Sequence, residues 1–225
     1  MSTKNSSIHT RRYKIALSII HMVYRLINST LNLKELIPRL AKLICHVLNA
    51  QYCAIVLLDP DKEAVILRVV LNQNKKQVSS KKVKLKNGLE NKISRTGLTY
   101  LKKSILGVPL IGENVSGAIV VKRKEGQRKF ETFDQEILTA ISEQAVTAIR
   151  NLQLYDEQQK IVFGSIKSLV TLLDKRVPSL VSHMTKYASI VTEIAKELHL
   201  SESQIRSLQH ASLLHDAGKI DIPLE

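Results

Sequence analysis

The hydrophobic periodicity of the chain changes abruptly near residue 50, and this change constrains the fold more than any other feature. Apolar residues recur at helical spacing over residues 15–26 and again over 33–48. The next two apolar stretches, Tyr52–Asp59 and Ala64–Leu71, are short and rich in Val, Ile and Leu. Turn-forming residues separate them at 59–62. The pattern predicts two helices followed by a strand, a turn and a second strand.

A second pair of strands is predicted at Ser104–Ile111 and Val115–Lys122, joined by a short hairpin turn. Gly107 and Pro109 suit an edge strand or a bulge better than a flat central strand. The preceding segment, Gly88–Gly97, is predicted to be a short helix bounded by glycines. Helices packed against an antiparallel sheet make this part of the chain an α+β domain.

A long helix is predicted after the last strand. Thr132 and Gln135 have the spacing of a capping box, and Asp134 suits the positive end of the helix dipole. The apolar pattern then continues through residues 156–176, which indicates a connector that forms a parallel two-helix contact in a dimer. The alternative is two separate core helices with a tight turn near Gly164.

Further helices are predicted at Val181–Leu198 and Ser201–His215, and Ser201 with Gln204 forms another capping box. We therefore divide the chain into a basic disordered tail at 1–14, an α+β domain at 15–155, a helical connector at 156–176 and an all-α segment at 177–225.

The charge of the chain permits an anionic partner without requiring one. Lys and Arg number 34 and Asp and Glu number 20, so the formal charge is +14. The basic stretch Lys75–Lys103 offers Tyr100 as its one aromatic residue, whereas grooves for single-stranded nucleic acid interleave aromatic residues with charges. We favour a solvated basic loop over a nucleic-acid surface.

Membrane and secreted classes are not favoured. No run approaches the roughly 18 apolar residues that span a bilayer, and no signal-peptide pattern begins the chain. Cys45 and Cys53 both lie in apolar segments, which predicts two buried thiols in a reducing cytoplasm rather than a disulfide framework.

Four segments of the first domain together resemble the second half of a GAF domain: SILGVPLI at 104–111, VSGAIVV at 115–121, FETFDQEIL at 130–138 and QAVTAIRN at 144–151. The resemblance implies a module that senses an unidentified small molecule, and one that dimerises through its flanking helices. Only Leu98–Lys103 is available where many GAF domains have a longer excursion that walls the ligand pocket. The alternative is a GAF domain with dimerisation and scaffold roles only.

The last fifty residues contain the chemistry-bearing groups. His215 and Asp216 are adjacent at the end of an apolar helix, and an imidazole with a carboxylate suits Mn, Fe or Zn. Gly218 can end the helix and bring Lys219 close to the metal, where its charge would meet a phosphate. His183 lies on the preceding helix, and antiparallel packing would bring it to this pair. His210, in contrast, lies about 140° around the helix from His215.

The order and spacing of LLDKRVP at 172–178, His183 and LLHDAGKIDIP at 213–223 strongly resemble the opening of an HD-GYP domain. That family hydrolyses cyclic di-GMP. The resemblance implies that His183, His215 and Asp216 bind divalent metal ions, two in a complete domain, and that Lys219 contacts the substrate phosphate. The family pattern continues with further histidines, a distal aspartate and a Gly-Tyr-Pro loop, none of which occurs among the residues up to Glu225. We therefore expect residues 1–225 alone to be inactive. The alternative is a non-catalytic GAF regulatory module with a residual HD segment.

Overall fold

The computed structural model describes residues 14, 16–27, 29–30, 32–58, 65–72, 77–81, 88–174 and 180–215, with the backbone alone at 77–81, 172–174 and 180–185. The chain forms two compact units, Met1–Gln153 and Leu154–Glu225. The predicted turn at 59–62 lies outside the described residues, as does the predicted tail apart from Lys14, which is helical. The predicted boundaries at 155/156 and 176/177 stay predictions.

The first unit is built on a six-stranded sheet in which every neighbouring pair is antiparallel. The strand order is β3-β2-β1-β6-β5-β4, so the two predicted strand pairs meet at its centre through β1 and β6. The strands are β1 (Tyr52–Leu58), β2 (Val65–Asn72), β3 (Gln77–Lys81), β4 (Tyr100–Lys102), β5 (Ile105–Gly112) and β6 (Val115–Lys122).

The described residues form six helices, distributed over the two units. A helix over residues 16–27, α1, precedes α2 (Leu33–Val47), α3 (Leu89–Thr96), α4 (Thr132–Asp174), α5 (Leu180–Glu197) and α6 (Glu202–Leu214). No helix in the described ranges is both long and apolar enough to cross a membrane. The predicted α+β class of the first unit and the helical nature of the second are confirmed.

The edge strands β3 and β4 were not predicted. Both are short and polar, and neither carries the Val, Ile and Leu run that marks the four inner strands. Edge strands are commonly short and charged because such edges resist pairing with other chains. Their formation depends on the neighbouring strands β2 and β5, with which they pair, rather than on a local hydrophobic pattern.

Pro109 and Gly107 are both unusual in a strand, and their presence in β5 has different structural reasons. Pro109 pairs with Ala118 of β6. The pairing of β4 with β5 extends only as far as Gly107, so no described strand pairs with the outer side of β5 at Pro109, as predicted. The prediction is wrong for Gly107, which pairs regularly with both Tyr100 and Val120 and forms no bulge. A side chain at position 107 would overlap the tip of Ile93, so this glycine serves the close approach of α3 to the sheet.

The sheet has a helix-covered face that forms the main core. Alternate residues of β1, among them Ile55 and Leu57, point to this face. They pack with the apolar faces of α1, α2 and α4, whose fully buried members include Ile44 and Leu138. The predicted amphipathic patterns of these helices are therefore explained by one shared core.

The first turn of α4 is held by a buried ion pair. The guanidinium of Arg123 donates to both carboxylate oxygens of Asp134 at 3.0 and 3.2 Å, and the two side chains are 6% and 7% exposed. The same guanidinium donates to the carbonyl oxygen of Leu48 at the end of α2, at 2.7 and 3.0 Å. It also lies over the ring of Phe130, 4.0 Å from the centroid. One side chain thus joins the ends of β6, α2 and α4.

The predicted capping box at Thr132 is wrong. The helix already includes Thr132, and the backbone N–H of Glu131 donates to Asp134 at 2.9 Å, so the capping interaction begins one residue earlier. The side chain of Gln135 instead contacts Thr99. Asp134 can accept the hydrogen bond from the Glu131 N–H because its ion pair with Arg123 holds the carboxylate in place. In α6 the predicted capping box of Ser201 and Gln204 is confirmed.

The long helix is continuous. α4 runs from Thr132 to Asp174 through Gly164, so the alternative of a tight turn at that glycine is wrong. Apart from the backbone of its own helix, no atom of the described residues would lie within 4 Å of a Cβ added at Gly164. This position is an exposed helix interior in which glycine has no packing role.

Two glycine substitutions test this account of close approaches. We expect Gly117→Ala to destabilise the protein by roughly 1–3 kcal/mol or more, because the new methyl group would overlap the carbonyl oxygen of Val56 on β1. Gly164→Ala is the matched control and should stabilise the protein by about 1 kcal/mol through helix propensity. Urea unfolding followed by circular dichroism measures both. Equal effects of the two substitutions would contradict the packing analysis.

The Asp134 ion pair predicts a pH dependence of stability. Burial acts to raise the pKa of Asp134, but its hydrogen bonds from Arg123 and from the Glu131 N–H and the charge of Arg128 outweigh burial, so the pKa lies below its usual 3.8. The stabilisation is then complete above the unfolded-state pKa and is lost as the pH falls through the lower folded-state pKa.

Asp134→Asn should therefore cost roughly 3–5 kcal/mol at pH 7, because it leaves the Arg123 charge buried without its partner. The difference in unfolding free energy between the wild type and the variant should shrink as the pH falls below about 4. Urea unfolding across this pH range measures it. A difference that stays constant with pH would show that the carboxylate charge contributes nothing.

Candidate functional site

The second face of the sheet is covered by α3 and is the first candidate site. Ile93 of α3 packs with Ala118 and Val120 of β6, above the space that Gly107 leaves open. Gly97 ends the helix in the left-handed conformation, with φ at 66°, as expected for the second of the bounding glycines. Over β5 and β6 the helix therefore rests directly on the sheet.

A polar cluster lies on this same face, next to the amino-terminal end of α3. Arg68 of β2 forms an ion pair with Glu90 of α3 at 3.3 Å. Burial raises the pKa of Tyr52, and the nearby Glu90 charge adds to the effect while Arg68 opposes it. The Nζ of Lys122 lies 5.0 Å from the centre of the Tyr52 ring. The cluster offers two cations, a phenol and a carboxylate within one small region.

Asn91 adds an unsatisfied group to this face of α3. The residue is only 8% exposed, and its Oδ1 has no hydrogen-bond partner among the described residues. Buried acceptors of this kind are rare in proteins and call for a donor from water or a ligand. Neither Asn91 nor the Tyr52 cluster was found from the sequence, although Arg68 interrupts an otherwise apolar strand and was a usable signal.

The two cysteines are not part of a polar site. Cys45 and Cys53 are both buried and carry free thiols, as predicted. Their thiols are hydrogen-bonded to each other, which lowers the pKa of Cys45, whereas burial raises that of Cys53.

The second candidate site lies at one end of the α5–α6 helix pair. Gln209 of α6 donates to the hydroxyl of Thr192 on α5 at 2.9 Å, and the rings of Tyr187 and His215 lie 6.1 Å apart. The earlier residue of α5 contacts the later residue of α6, and the later residue of α5 contacts the earlier one of α6. The two helices are therefore antiparallel. This arrangement was expected from the sequence. It places the start of α5 beside the end of α6.

His215 is held by the last turn of its own helix. Its Nδ1 lies 2.9 Å from the carbonyl oxygen of Ser212. A carbonyl oxygen only accepts, so Nδ1 carries the proton, and in the neutral ring the lone pair is at Nε2. Metal-ligating histidines commonly have this arrangement, with the second ring nitrogen bonded to a backbone carbonyl.

The other predicted ligands are described in part or not at all. His183 belongs to α5, four residues before Tyr187, and therefore lies at the same end of the helix pair as His215. Its side chain, together with Asp216 and Lys219, lies outside the described residues. Within the part that is described, no group of three or more metal-ligating side chains occurs. His210 stacks on Phe163 at 6.3 Å between centroids, on a different side of α6 from His215, as predicted.

The comparisons with known proteins concern the first unit. A family model described as a GAF domain matches residues 32–151, which is more than half of the chain. The chain belongs to the GAF family. The matched region of this GAF protein contains the sheet from β1 to β6, together with α2, α3 and the first part of α4.

Solved structures support the same fold. The GAF domain of a phosphoenolpyruvate-protein phosphotransferase from Coxiella burnetii is 16% identical, with a TM-score of 0.54 over 64% of this chain and 98% of that one. The corresponding domain from Acinetobacter is 20% identical, with a TM-score of 0.51 over 61% and 94%. No curated protein sequence matches the chain.

The GAF assignment gives a sensor or regulatory class to the first unit and is consistent with signalling. The family match ends at residue 151, before α5 and α6 begin. The resemblance of 177–225 to an HD-GYP domain therefore stays a prediction.

Proposed function

We propose that this chain is part of a signalling protein in which the GAF domain regulates a metal-dependent HD-GYP phosphodiesterase that acts on cyclic di-GMP. The observation that supports the proposal best is the antiparallel α5–α6 pair, in which Tyr187 contacts His215 at the end where His183 also lies. That is the juxtaposition a metal site on two adjacent helices requires.

The residues of this end of the helix pair suit a divalent metal. His183, His215 and Asp216 would hold it, and imidazole with carboxylate is a donor set for Mn, Fe or Zn. The hydrogen bond from His215 Nδ1 to Ser212 makes Nε2 the ring nitrogen that would bind a metal. A bound divalent ion, or two in a complete domain, would supply an activated water and charge stabilisation for phosphodiester hydrolysis.

Lys219 has a separate role in the proposal. It follows Asp216 by three residues and would supply a fixed positive charge to a substrate phosphate. Cyclic di-GMP carries two such phosphates. In this proposal the chain would contribute one ammonium group together with two imidazoles and a carboxylate.

The GAF domain would supply the regulatory input. The cations Arg68 and Lys122, the phenol of Tyr52 and the Asn91 oxygen, which has no partner in the described part of the chain, support binding of a small molecule with anionic and hydrogen-bonding groups. α4 begins in this domain and continues into the second unit as one helix.

We propose a cytoplasmic location, which the two free thiols support.

We also propose a homodimer formed through the helices that flank the GAF sheet. α1 and α4 border an apolar groove of about 230 Å³, lined by Ile19, Ile20 and Val23 of α1 and by Phe133 and Ile137 of α4, among others. Ile20 of this lining is exposed, as is Leu17 on the same helix. Contiguous apolar surface of this kind favours association between proteins.

The alternative function is a non-catalytic GAF dimerisation and regulatory module with a residual HD segment. The contact of Ile93 with the sheet over Gly107 favours it, because α3 then occupies space on the face where a ligand would bind. Metal binding separates the two proposals.

Metal content tests the phosphodiesterase proposal. The chain, loaded separately with Mn²⁺, Fe²⁺ or Zn²⁺ and then dialysed, should retain at least about one ion per chain by elemental analysis. His215→Ala should lose most of this ion because it removes a ligand from the site. His210→Ala is the matched control on the same helix and should retain it, since His210 stacks on Phe163. A wild-type chain without metal, or equal retention in both variants, would favour the non-catalytic module.

Light scattering tests the homodimer. Ile20→Glu places a charge in the apolar groove between α1 and α4 and should convert a dimer into a monomer. Ile111→Glu is the control, because Ile111 is 61% exposed at the end of β5 and lies outside the groove. The proposal fails if the wild type is monomeric or if both variants remain dimers.

A further inference from the structure

Four exposed lysines at one end of the GAF sheet have no role in the proposed function. Lys102 ends β4 and Lys103 follows it in the turn to β5, while Lys124 and Lys129 lie in the loop between β6 and α4. No ion pair among the described residues includes any of these four side chains. We call the four residues the lysine cluster.

The tertiary structure brings the two halves of the lysine cluster together. The backbone N–H of Phe130 donates to the carbonyl oxygen of Lys103 at 2.8 Å. The backbone N–H of Arg123 donates to the carbonyl oxygen of Ser104 at 2.9 Å. The turn after β4 and the loop after β6 are therefore joined at both ends of the loop, although they are far apart in the sequence.

The loop after β6 has an ordered backbone. The Arg123 guanidinium, which its buried ion pair holds in place, donates to the carbonyl oxygens of Arg128 and Lys129 at 3.3 and 3.1 Å. The N–H of Lys124 donates to Oε1 of Gln127 at 3.1 Å, and the N–H of Gln127 donates to the carbonyl oxygen of Lys124 at 3.2 Å. A partner that binds here does not have to order the loop first, which lowers the entropic cost of binding.

The composition of the two segments, 102–104 and 122–130, favours phosphate groups as the partner. They contain one carboxylate, that of Glu125, and one aromatic residue, Phe130, which is 6% exposed beneath the Arg123 guanidinium. Interfaces between proteins are depleted in lysine and depend on aromatic anchors. Stable binding to a membrane needs an apolar or lipid anchor in addition to a basic patch. Phosphate contacts need only the cations.

A duplex fits the lysine cluster better than a single strand does. Surfaces for single strands stack the bases on aromatic side chains. Tyr100, whose ring centre lies 6.0 Å from the Lys102 ammonium, is half-buried and packs with the residues under α3. Duplex DNA carries one charge per about 1.7 Å of its axis and is bound non-specifically through phosphate contacts.

We propose that the lysine cluster is a docking surface for the phosphate backbone of double-stranded DNA, without recognition of the bases. The inference goes beyond the proposed function and does not depend on it. The expectation of a solvated loop concerned the stretch Lys75–Lys103 by itself, whereas this surface joins the last two lysines of that stretch to Lys124 and Lys129.

Salt-dependent binding of the full chain to a mixed-sequence DNA duplex tests the inference, with fluorescence anisotropy as the readout. The affinity should fall about 100-fold between about 50 and about 200 mM salt, as expected for about four phosphate contacts. A chain with Lys103→Gln, Lys124→Gln and Lys129→Gln together should bind more weakly at low salt. Its affinity should fall only about fourfold over the same range, because one lysine of the cluster remains.

Lys34→Gln is the charge-matched control for Lys103→Gln alone. Lys34 is exposed in the first turn of α2, about 20 Å along the helix from the end that contacts Arg123. Lys103→Gln should reduce the slope of log affinity against log salt by about one, and Lys34→Gln should leave it unchanged. The urea midpoints of all the variants should equal that of the wild type, because the replaced side chains are exposed. Equal reductions by the two single substitutions would overturn the inference, since total charge would then explain the binding.

Other partners give different results. A wild-type chain that does not bind the duplex at about 50 mM salt overturns the inference, and so does tighter binding to one of its separated strands. Vesicles of phosphatidylserine and phosphatidylcholine that bind the wild type but not the triple variant, when the duplex binds neither, would identify an anionic membrane instead. No substituted residue belongs to the proposed metal site, so failure of the metal-content test leaves this inference standing and failure here leaves the metal site standing.

Discussion

The buried ion pair between Arg123 and Asp134 is the interaction on which the arrangement of the first unit depends. Two charged side chains that are almost completely buried are costly unless each is paired and hydrogen-bonded. Here the guanidinium is satisfied by Asp134, by the Leu48 carbonyl and by the Arg128 and Lys129 carbonyls. The ends of β6 and α2 and the start of α4 must therefore meet at one place. α4, which continues into the second unit, starts from this junction.

The two faces of the GAF sheet differ in the residues that they carry. The face under α1, α2 and α4 carries the buried apolar residues that form the main core. The face under α3 combines close packing at Gly107 with the Tyr52–Arg68–Glu90 cluster and the Asn91 Oδ1, which has no partner among the described residues. Polar groups that are only partly satisfied are costly to keep in a fold for stability alone. This contrast is the reason for assigning any ligand-binding role to the α3 side.

The second unit contains an antiparallel helix pair on which the proposed metal site rests. Its described core is small, and α5 exposes Tyr187, Ile190 and Ile194 along one side. The antiparallel arrangement nevertheless brings together the ends that carry His183 and His215. Because the Ser212 carbonyl accepts from Nδ1, the tautomer of His215 is decided by the backbone of its own helix. The imidazole of this proposed metal ligand is thus held by a contact within the protein itself.

The sequence by itself determined the four inner strands, the amphipathic helices, the continuous α4 and the glycine-bounded α3, because each has a local hydrophobic period or a strong local terminator. It also predicted the GAF family from four separated motifs and placed His183 and His215 on an antiparallel helix pair. It did not predict the edge strands β3 and β4, the cap of α4 or the reason for Gly107. Those features depend on partners far away in the chain: β2 and β5 for the edge strands, Arg123 for Asp134 and Ile93 for the glycine. Only the tertiary structure decides such pairings, because a side chain's partner across a sheet or a helix junction leaves no periodic trace in its own neighbourhood.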